Sequence, residues 1–294
     1  MDGNLQRLAL KLTCQYVPRP LLVIALVALC LTNTHAQKLR DILSDSKTLS
    51  YRDYTVSILV SRDGKLSTAA VKRTGRVIAR SVNANGPFSE IFVHTRIGFV
   101  SLLGKRTNQL IIQQYSGGAH CCLSWRIYDL YPKFRLIFDS ARYPIGDAME
   151  DAELIDVDHD GQLEFVHQSN QFAYFDGACF TCLSLPDVVF RFDRRAQRYL
   201  PANHVFRRYA LRQVPFDLEQ LRRREDNPSE YWAYTLNVVL RYIYAGMEKR
   251  AWAFFAKTYG GRSNRELKNK IRLNLRTDGI YRFLYDKGAK RPRL

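Results

Sequence analysis

Short runs of alternating apolar and polar residues fill the chain between Tyr51 and about Asn203, and glycine, asparagine and aspartate separate them. Alternation of this kind is typical of strands with one buried face, and the close spacing favours antiparallel pairing. The pattern predicts strands over residues 54–60, 90–103, 109–115, 123–131, 134–139, 163–167 and 188–193.

After Pro215 the apolar residues recur every three or four positions, which predicts helices. The first of these helices is predicted to end at Gly246, and the residues that favour its start are Asn227, Pro228 and Glu230. Further helices are predicted over residues 248–257, from a capping box at Ser263, and around residues 280–284. The fold class is therefore α+β. An antiparallel β-rich domain, propeller-like or a sandwich, over residues 37–206 precedes a helical module over residues 207–294.

Residues 1–36 have the pattern of a secretory signal peptide. Basic residues precede an apolar run over residues 21–31, and small residues follow at Thr34 and Ala36. Since about 20 apolar residues are needed to span a bilayer, this run is too short for a membrane helix, and no later segment is apolar enough. We therefore predict a mature protein that is periplasmic or secreted.

The charge is strongly basic, with 45 Lys and Arg against 28 Asp and Glu, a net +17. Residues 207–294 hold 21 basic and 9 acidic side chains, so most of the excess lies there. Such a field attracts anionic partners, although the same charge also suits a solubilising surface. For an exported protein the expected partners are an anionic envelope component (lipid headgroup, lipopolysaccharide or glycan) or another protein, and no nucleic acid.

One stretch within an acidic island, residues 147–164, has the spacing of a calcium loop. Carboxylates at alternate positions can surround one hard cation, and Gly161 permits a sharp turn. The predicted Ca²⁺ ligands are the side chains of Asp156, Asp158, Asp160 and Glu164 and the backbone carbonyl of Gln162. The alternative is an ordinary Asp-Gly turn between two strands.

Residues 156–164 also resemble the calcium loop of FG-GAP and VCBS repeats, which form the blades of integrin-like β-propellers. The resemblance implies the same calcium ligands and a loop that joins two strands, but it covers only about one loop and one strand. Separately, residues 115–122 are similar to a motif of exported bacterial proteins of unknown function, which implies no activity.

Four cysteines, Cys121, Cys122, Cys179 and Cys182, follow the predicted signal peptide. In an oxidising compartment they are expected to form two disulfides. Three connectivities are possible, and we favour those in which the first two cysteines bond to the last two, because a bond between neighbours closes a strained ring. A zinc site with His120, a redox pair and a Cys–His nucleophile are the alternatives.

The sequence thus predicts an exported binding or scaffold protein, stabilised by calcium and disulfides, rather than an enzyme. The alternative is an envelope hydrolase in which the acidic island works with a histidine as acid and base. The histidines considered for that role are His120, His159 and His167. The chain has no serine-hydrolase elbow, zinc-protease helix motif or phosphate-binding loop.

Overall fold

The computed structural model confirms an α+β fold in which antiparallel sheets are followed by helices. The predicted signal peptide lies outside the described residues, apart from Ala36. The structure describes residues 36–62, 67–80, 94–104, 107–117, 123–145, 152–177, 183, 185–223, 227–259 and 262–286.

Three antiparallel sheets follow one another along the chain. The first sheet contains β2 (Thr48–Tyr51), β3 (Tyr54–Val60), β4 (Ser67–Arg73) and β5 (Arg76–Arg80). The middle sheet contains β6 (His94–Val100), β7 (Gln109–Tyr115), β8 (Leu123–Asp129) and β9 (Arg135–Asp139). The third sheet has the order β1-β10-β11-β12-β13, with strands Gln37–Lys38, Glu153–Ile155, Glu164–Gln168, Asp187–Asp193 and Arg198–Pro201.

The middle sheet is buried on both faces. Along β7, Ile111 packs with residues of the third sheet, whereas Leu110 and Ile112 pack with residues of the first. Successive side chains of a strand point to opposite faces, so β7 contributes apolar side chains to the two cores on either side of it. This explains why its sequence is apolar at consecutive positions instead of alternating.

In the described part of the chain the α-helices are α1 (Leu39–Ile42) and six that follow the last strand. These six are α2 (Arg207–Ala210), α3 (Val214–Arg223), α4 (Pro228–Tyr244), α5 (Glu248–Thr258), α6 (Arg262–Thr277) and α7 (Gly279–Tyr285). They form a core of their own around Val239, Ile243 and Ile271. Tyr244 and Ile280 pack instead into the core between the middle and third sheets, so the helices and the third sheet share apolar surface.

Several sequence predictions match the observed bounds. Strands β3 and β7 cover the predicted residues, and the Asn227 side chain accepts a hydrogen bond from the Glu230 N–H at the start of α4. Helix α6 begins at Arg262, one residue before the position predicted as its cap, Ser263. None of the helices in the described part of the chain is both long and apolar enough to cross a membrane.

Gly246 joins α4 to α5 with a φ of +76°, a conformation that side chains with a Cβ rarely adopt. A Cβ at this position would lie 3.1 Å from the His204 Cβ. We therefore expect Gly246→Ala to lower the free energy of unfolding by about 1–2 kcal/mol or more, measured by urea denaturation. Gly75→Ala is the matched control, because Gly75 has a φ of +81° with open space around it. If both variants lose equal stability, the contact with His204 contributes nothing.

Candidate metal centre

The predicted calcium loop connects β10 to β11 at one end of the third sheet. Ile155 pairs with Glu164 across the two strands, and residues 156–163 form the connection. The turn requires positive φ values at His159 (60°) and Gly161 (82°). Glycine adopts that conformation without steric cost, so Gly161 has the role expected from the sequence.

Asp156 folds the loop back on itself. Its Oδ1 accepts a hydrogen bond from the Asp160 N–H at 3.0 Å, and its Oδ2 accepts one from the Gly161 N–H at 2.9 Å. The Asp156 carboxylate is therefore held in place at the base of the loop by two backbone hydrogen bonds.

Glu164 is the buried member of the site, with 1% of its surface exposed. Its Oε2 accepts a hydrogen bond from the Val157 N–H at 2.9 Å. Its Oε1 is buried and accepts no hydrogen bond from the described residues. Burial raises the pKa of Glu164 to about 7, and Asp158 adds to this effect, while the bond from Val157 opposes it. An ionised carboxylate in such a position is costly unless a cation compensates it.

Three of the five predicted ligands lie together. Asp156, Asp158 and Glu164 each offer one carboxylate oxygen, and these three oxygens lie within 4.8 Å of one another. Carboxylate oxygens are the ligands that calcium prefers, and a divalent cation between them removes their mutual repulsion. The donor set therefore fits a hard cation such as Ca²⁺.

The Asp160 carboxylate, a fourth predicted ligand, is engaged elsewhere. The Asp160 carboxylate accepts hydrogen bonds from the Gln162 backbone N–H at 2.8 Å and from the Gln162 Nε2 at 2.9 Å. Burial raises the pKa of Asp160, but bonds from Gln162 and Arg191 outweigh burial and hold it below its ordinary value. Asp160 thus stays ionised next to the three grouped carboxylates.

Arg191 on β12 lies against the loop and was not predicted from the sequence. Its Nη2 is 2.9 Å from Asp158 Oδ2 and 2.8 Å from Asp160 Oδ2, and its Nε is 4.0 Å from Glu164 Oε1. It reaches them because Phe165 pairs with Phe190, so the next residues along, Glu164 and Arg191, point to the same face of the sheet. The sequence signal was a basic residue between Phe190 and Phe192, in a strand whose other charges lie at its two ends.

The histidines considered for acid–base catalysis do not join these carboxylates. The His167 ring lies in the core, with its centroid 4.9 Å from that of Trp125 and its Nδ1 2.7 Å from the Gln168 carbonyl oxygen. His159 is exposed at the tip of the loop. The remaining candidates lie outside the described residues: His120, the acidic residues Asp147, Glu150 and Asp151, and the cysteines Cys121, Cys122, Cys179 and Cys182.

No family model, curated protein or solved structure matches this chain. The fold and the loop are therefore interpreted from their own residues. The most specific feature is the group of three carboxylates, of which the buried one, Glu164, has an oxygen that accepts no hydrogen bond from the described residues.

Proposed function

We propose that this protein is an exported binding or scaffold protein whose third sheet is stabilised by a calcium ion in the β10–β11 loop. The observation that carries the proposal is Glu164, which belongs to the group formed with Asp156 and Asp158 and whose buried Oε1 accepts no hydrogen bond from the described residues. Native proteins rarely bury an oxygen without a hydrogen-bond donor, and a bound ion is one of the recognised reasons. The proposal also takes the loop to be of the FG-GAP and VCBS type.

The residues that would hold the ion are Asp156, Asp158 and Glu164, and Asp160 with the Gln162 carbonyl complete the predicted ligand set. Calcium accepts six to eight oxygen ligands, so water or backbone carbonyls can fill the remaining positions. Binding would fix the end of the hairpin and give the buried Glu164 charge a closer partner than Arg191, whose Nε is 4.0 Å from Glu164 Oε1. Its role is therefore structural, holding the third sheet in shape.

Export and disulfide bonding belong to the same proposal. Cys121 and Cys122 precede the hairpin in sequence, and Cys179 and Cys182 follow it, so bonds between the two pairs would enclose the calcium loop within one covalent ring. Such cross-links stabilise mainly by restricting the unfolded chain. Calcium and disulfides would then act on the same part of the protein.

Calcium titration at pH 8 tests the proposal, with calorimetry for binding and melting for stability. At a free concentration 100 times Kd, calcium should add about 2.7 kcal/mol to the free energy of unfolding. Asp156→Asn and Glu164→Gln should each remove most of the binding heat and of the stabilisation, because each removes a charged oxygen ligand. The matched control is Glu219→Gln, which changes an exposed carboxylate on α3 and should leave calcium binding unchanged.

In chelator at pH 8, Glu164→Gln should be at least as stable as the wild-type protein, because the amide keeps an acceptor for Val157 and removes the buried charge. Loss of calcium binding in that variant then cannot be attributed to misfolding. Absence of binding heat and an unchanged melting temperature at millimolar calcium would reduce the loop to an Asp-Gly turn.

A further inference from the structure

A groove of about 940 Å³ lies beside the calcium loop, between the end of the third sheet and helix α7. Its volume is in the range of small-molecule pockets, about 300–1,000 Å³. Asp160 and Gln162 of the loop form part of one wall, so the groove and the candidate metal centre share residues. An ion bound in the loop would therefore lie next to the groove.

Three arginines line the groove: Arg191, Arg194 and Arg207. The Arg207 Nε donates a hydrogen bond to the Ala245 carbonyl oxygen at 3.2 Å, which holds this guanidinium at the wall and leaves its Nη atoms for a ligand. Two carboxylates also face the groove, but Asp160 is paired with Arg191 and Asp193 accepts a hydrogen bond from the Ala196 N–H. Arg194 and Arg207 are therefore the guanidinium groups of the lining that are not held by the loop carboxylates.

The rest of the lining combines apolar side chains with polar ones such as His204 and Tyr285. Leu200 of β13, the nearby Ala202, and Phe283 and Leu284 of α7 are among the apolar members. Val205, which is 55% exposed, adds apolar surface at the margin. Guanidinium groups match the geometry of phosphate oxygens, and several of them suit a dianion better than a single carboxylate. The combination fits a ligand with a phosphate group at one end and a hydrocarbon chain at the other.

Arg191 connects this groove to the loop. In the structure its Nη2 contacts the carboxylates of Asp158 and Asp160, so the guanidinium is partly neutralised. A calcium ion bound to the Asp158 carboxylate would compete for this contact. The Arg191 guanidinium would then be available to a ligand in the groove. The ion also adds two positive charges next to the groove, and a phosphate there is attracted by both effects.

We propose that the groove binds an alkyl phosphate monoester, and that calcium in the loop strengthens this binding through Arg191. The first part stands on the groove alone, whereas the second rests on the proposed function. Because coupling between two sites is reciprocal, an alkyl phosphate must also strengthen calcium binding by the same factor.

The test uses octyl phosphate, inorganic phosphate and octyl glucoside as probes, with calorimetry at pH 7.5 and concentrations below the solubility limit of the calcium salts. In chelator, octyl phosphate should bind at least about tenfold more tightly than inorganic phosphate, which lacks the chain. It should also bind more tightly than octyl glucoside, which lacks the charge. Equal binding of octyl phosphate and either other probe, or no binding, would overturn the groove as a site for this ligand class.

Calcium should then tighten octyl phosphate binding by about fivefold or more. Arg207→Gln should weaken octyl phosphate binding and leave calcium binding intact, because Arg207 contacts the groove but not the loop. Arg191→Gln should tighten calcium binding and abolish the coupling. The matched control is Arg195→Gln, which should behave as wild type. Arg195 is exposed and lies in the β12–β13 hairpin, as Arg191 does, but it does not line the groove.

The two proposals fail in different ways. If calcium alone gives no binding heat, the calcium loop is wrong, and the chelator experiment still decides whether the groove binds alkyl phosphate. If calcium binds but octyl phosphate affinity is the same with and without it, the coupling through Arg191 is wrong.

Discussion

Asp217→Ala is expected to lower the free energy of unfolding by about 3–5 kcal/mol, because it leaves a buried arginine without its counter-ion. Asp217 on α3 and Arg241 on α4 are 0% and 2% exposed, and the Arg241 Nε donates a hydrogen bond to Asp217 Oδ2 at 2.7 Å. Burial raises the pKa of Asp217, and the charge and hydrogen bond of Arg241 oppose this effect. Each partner therefore compensates the cost of burying the other.

Urea denaturation of four proteins measures the effect of this pair. The wild type is compared with Asp217→Ala, the double variant Asp217→Leu with Arg241→Met, and Glu219→Ala. The double variant should recover most of the lost stability, because apolar side chains of similar size remove both charges. Glu219→Ala breaks exposed ion pairs on the same helix and should cost about 1 kcal/mol or less. A cost below 1 kcal/mol for Asp217→Ala would contradict the prediction.

In chelator, the protein is expected to lose stability as pH rises from about 4.5 to about 7. Glu164 has an ordinary pKa of 4.5, which applies to the unfolded chain, and a pKa of about 7 in the folded protein. Between these values the folded state binds more protons, so the free energy of unfolding falls as pH rises. The contribution is fully present below pH 4.5 and is lost above about pH 7, and its full size is about 3 kcal/mol.

Chemical denaturation of wild type and Glu164→Gln across pH 4.5 to 8 isolates this contribution from those of other groups. The difference between the two proteins should change by up to about 3 kcal/mol over this range, whereas Glu219→Gln should run parallel to wild type throughout. Parallel curves for wild type and Glu164→Gln would mean that Glu164 titrates normally. Added calcium should remove the loss of stability in the wild type, because the ion requires the ionised carboxylate.

Features set by neighbouring residues were predictable from the sequence. The turn at Gly161 and the cap at Asn227 depend on residues a few positions away, and both occur where the sequence indicates. Strand β7 was likewise recognisable from its composition. Helix α3 was not predicted, although Pro215 lies in its first turn, where proline is well tolerated.

Features set by the pairing of distant strands were not predictable. Arg191 reaches the β10–β11 loop only because β12 pairs with β11 in one register, and a shift of one residue would point it into the core. The same limit applies to the ligand set. Asp160 has the spacing of a ligand, but its carboxylate is bound to Gln162 and Arg191, which only the folded loop reveals. The sequence thus indicated where the carboxylates lie and missed the arginine that contacts them.

The pairing of β1 with β10 has a consequence for the order of folding. Among the described strands, all other pairings join strands that are consecutive in sequence, whereas Gln37 and Leu154 are more than a hundred residues apart. Consecutive hairpins close short loops quickly, while closing a loop of this length costs more chain entropy. The first and middle sheets lie within this loop. The three sheets are therefore expected to assemble locally. Strand β1 is expected to pair last with the β10–β11 hairpin.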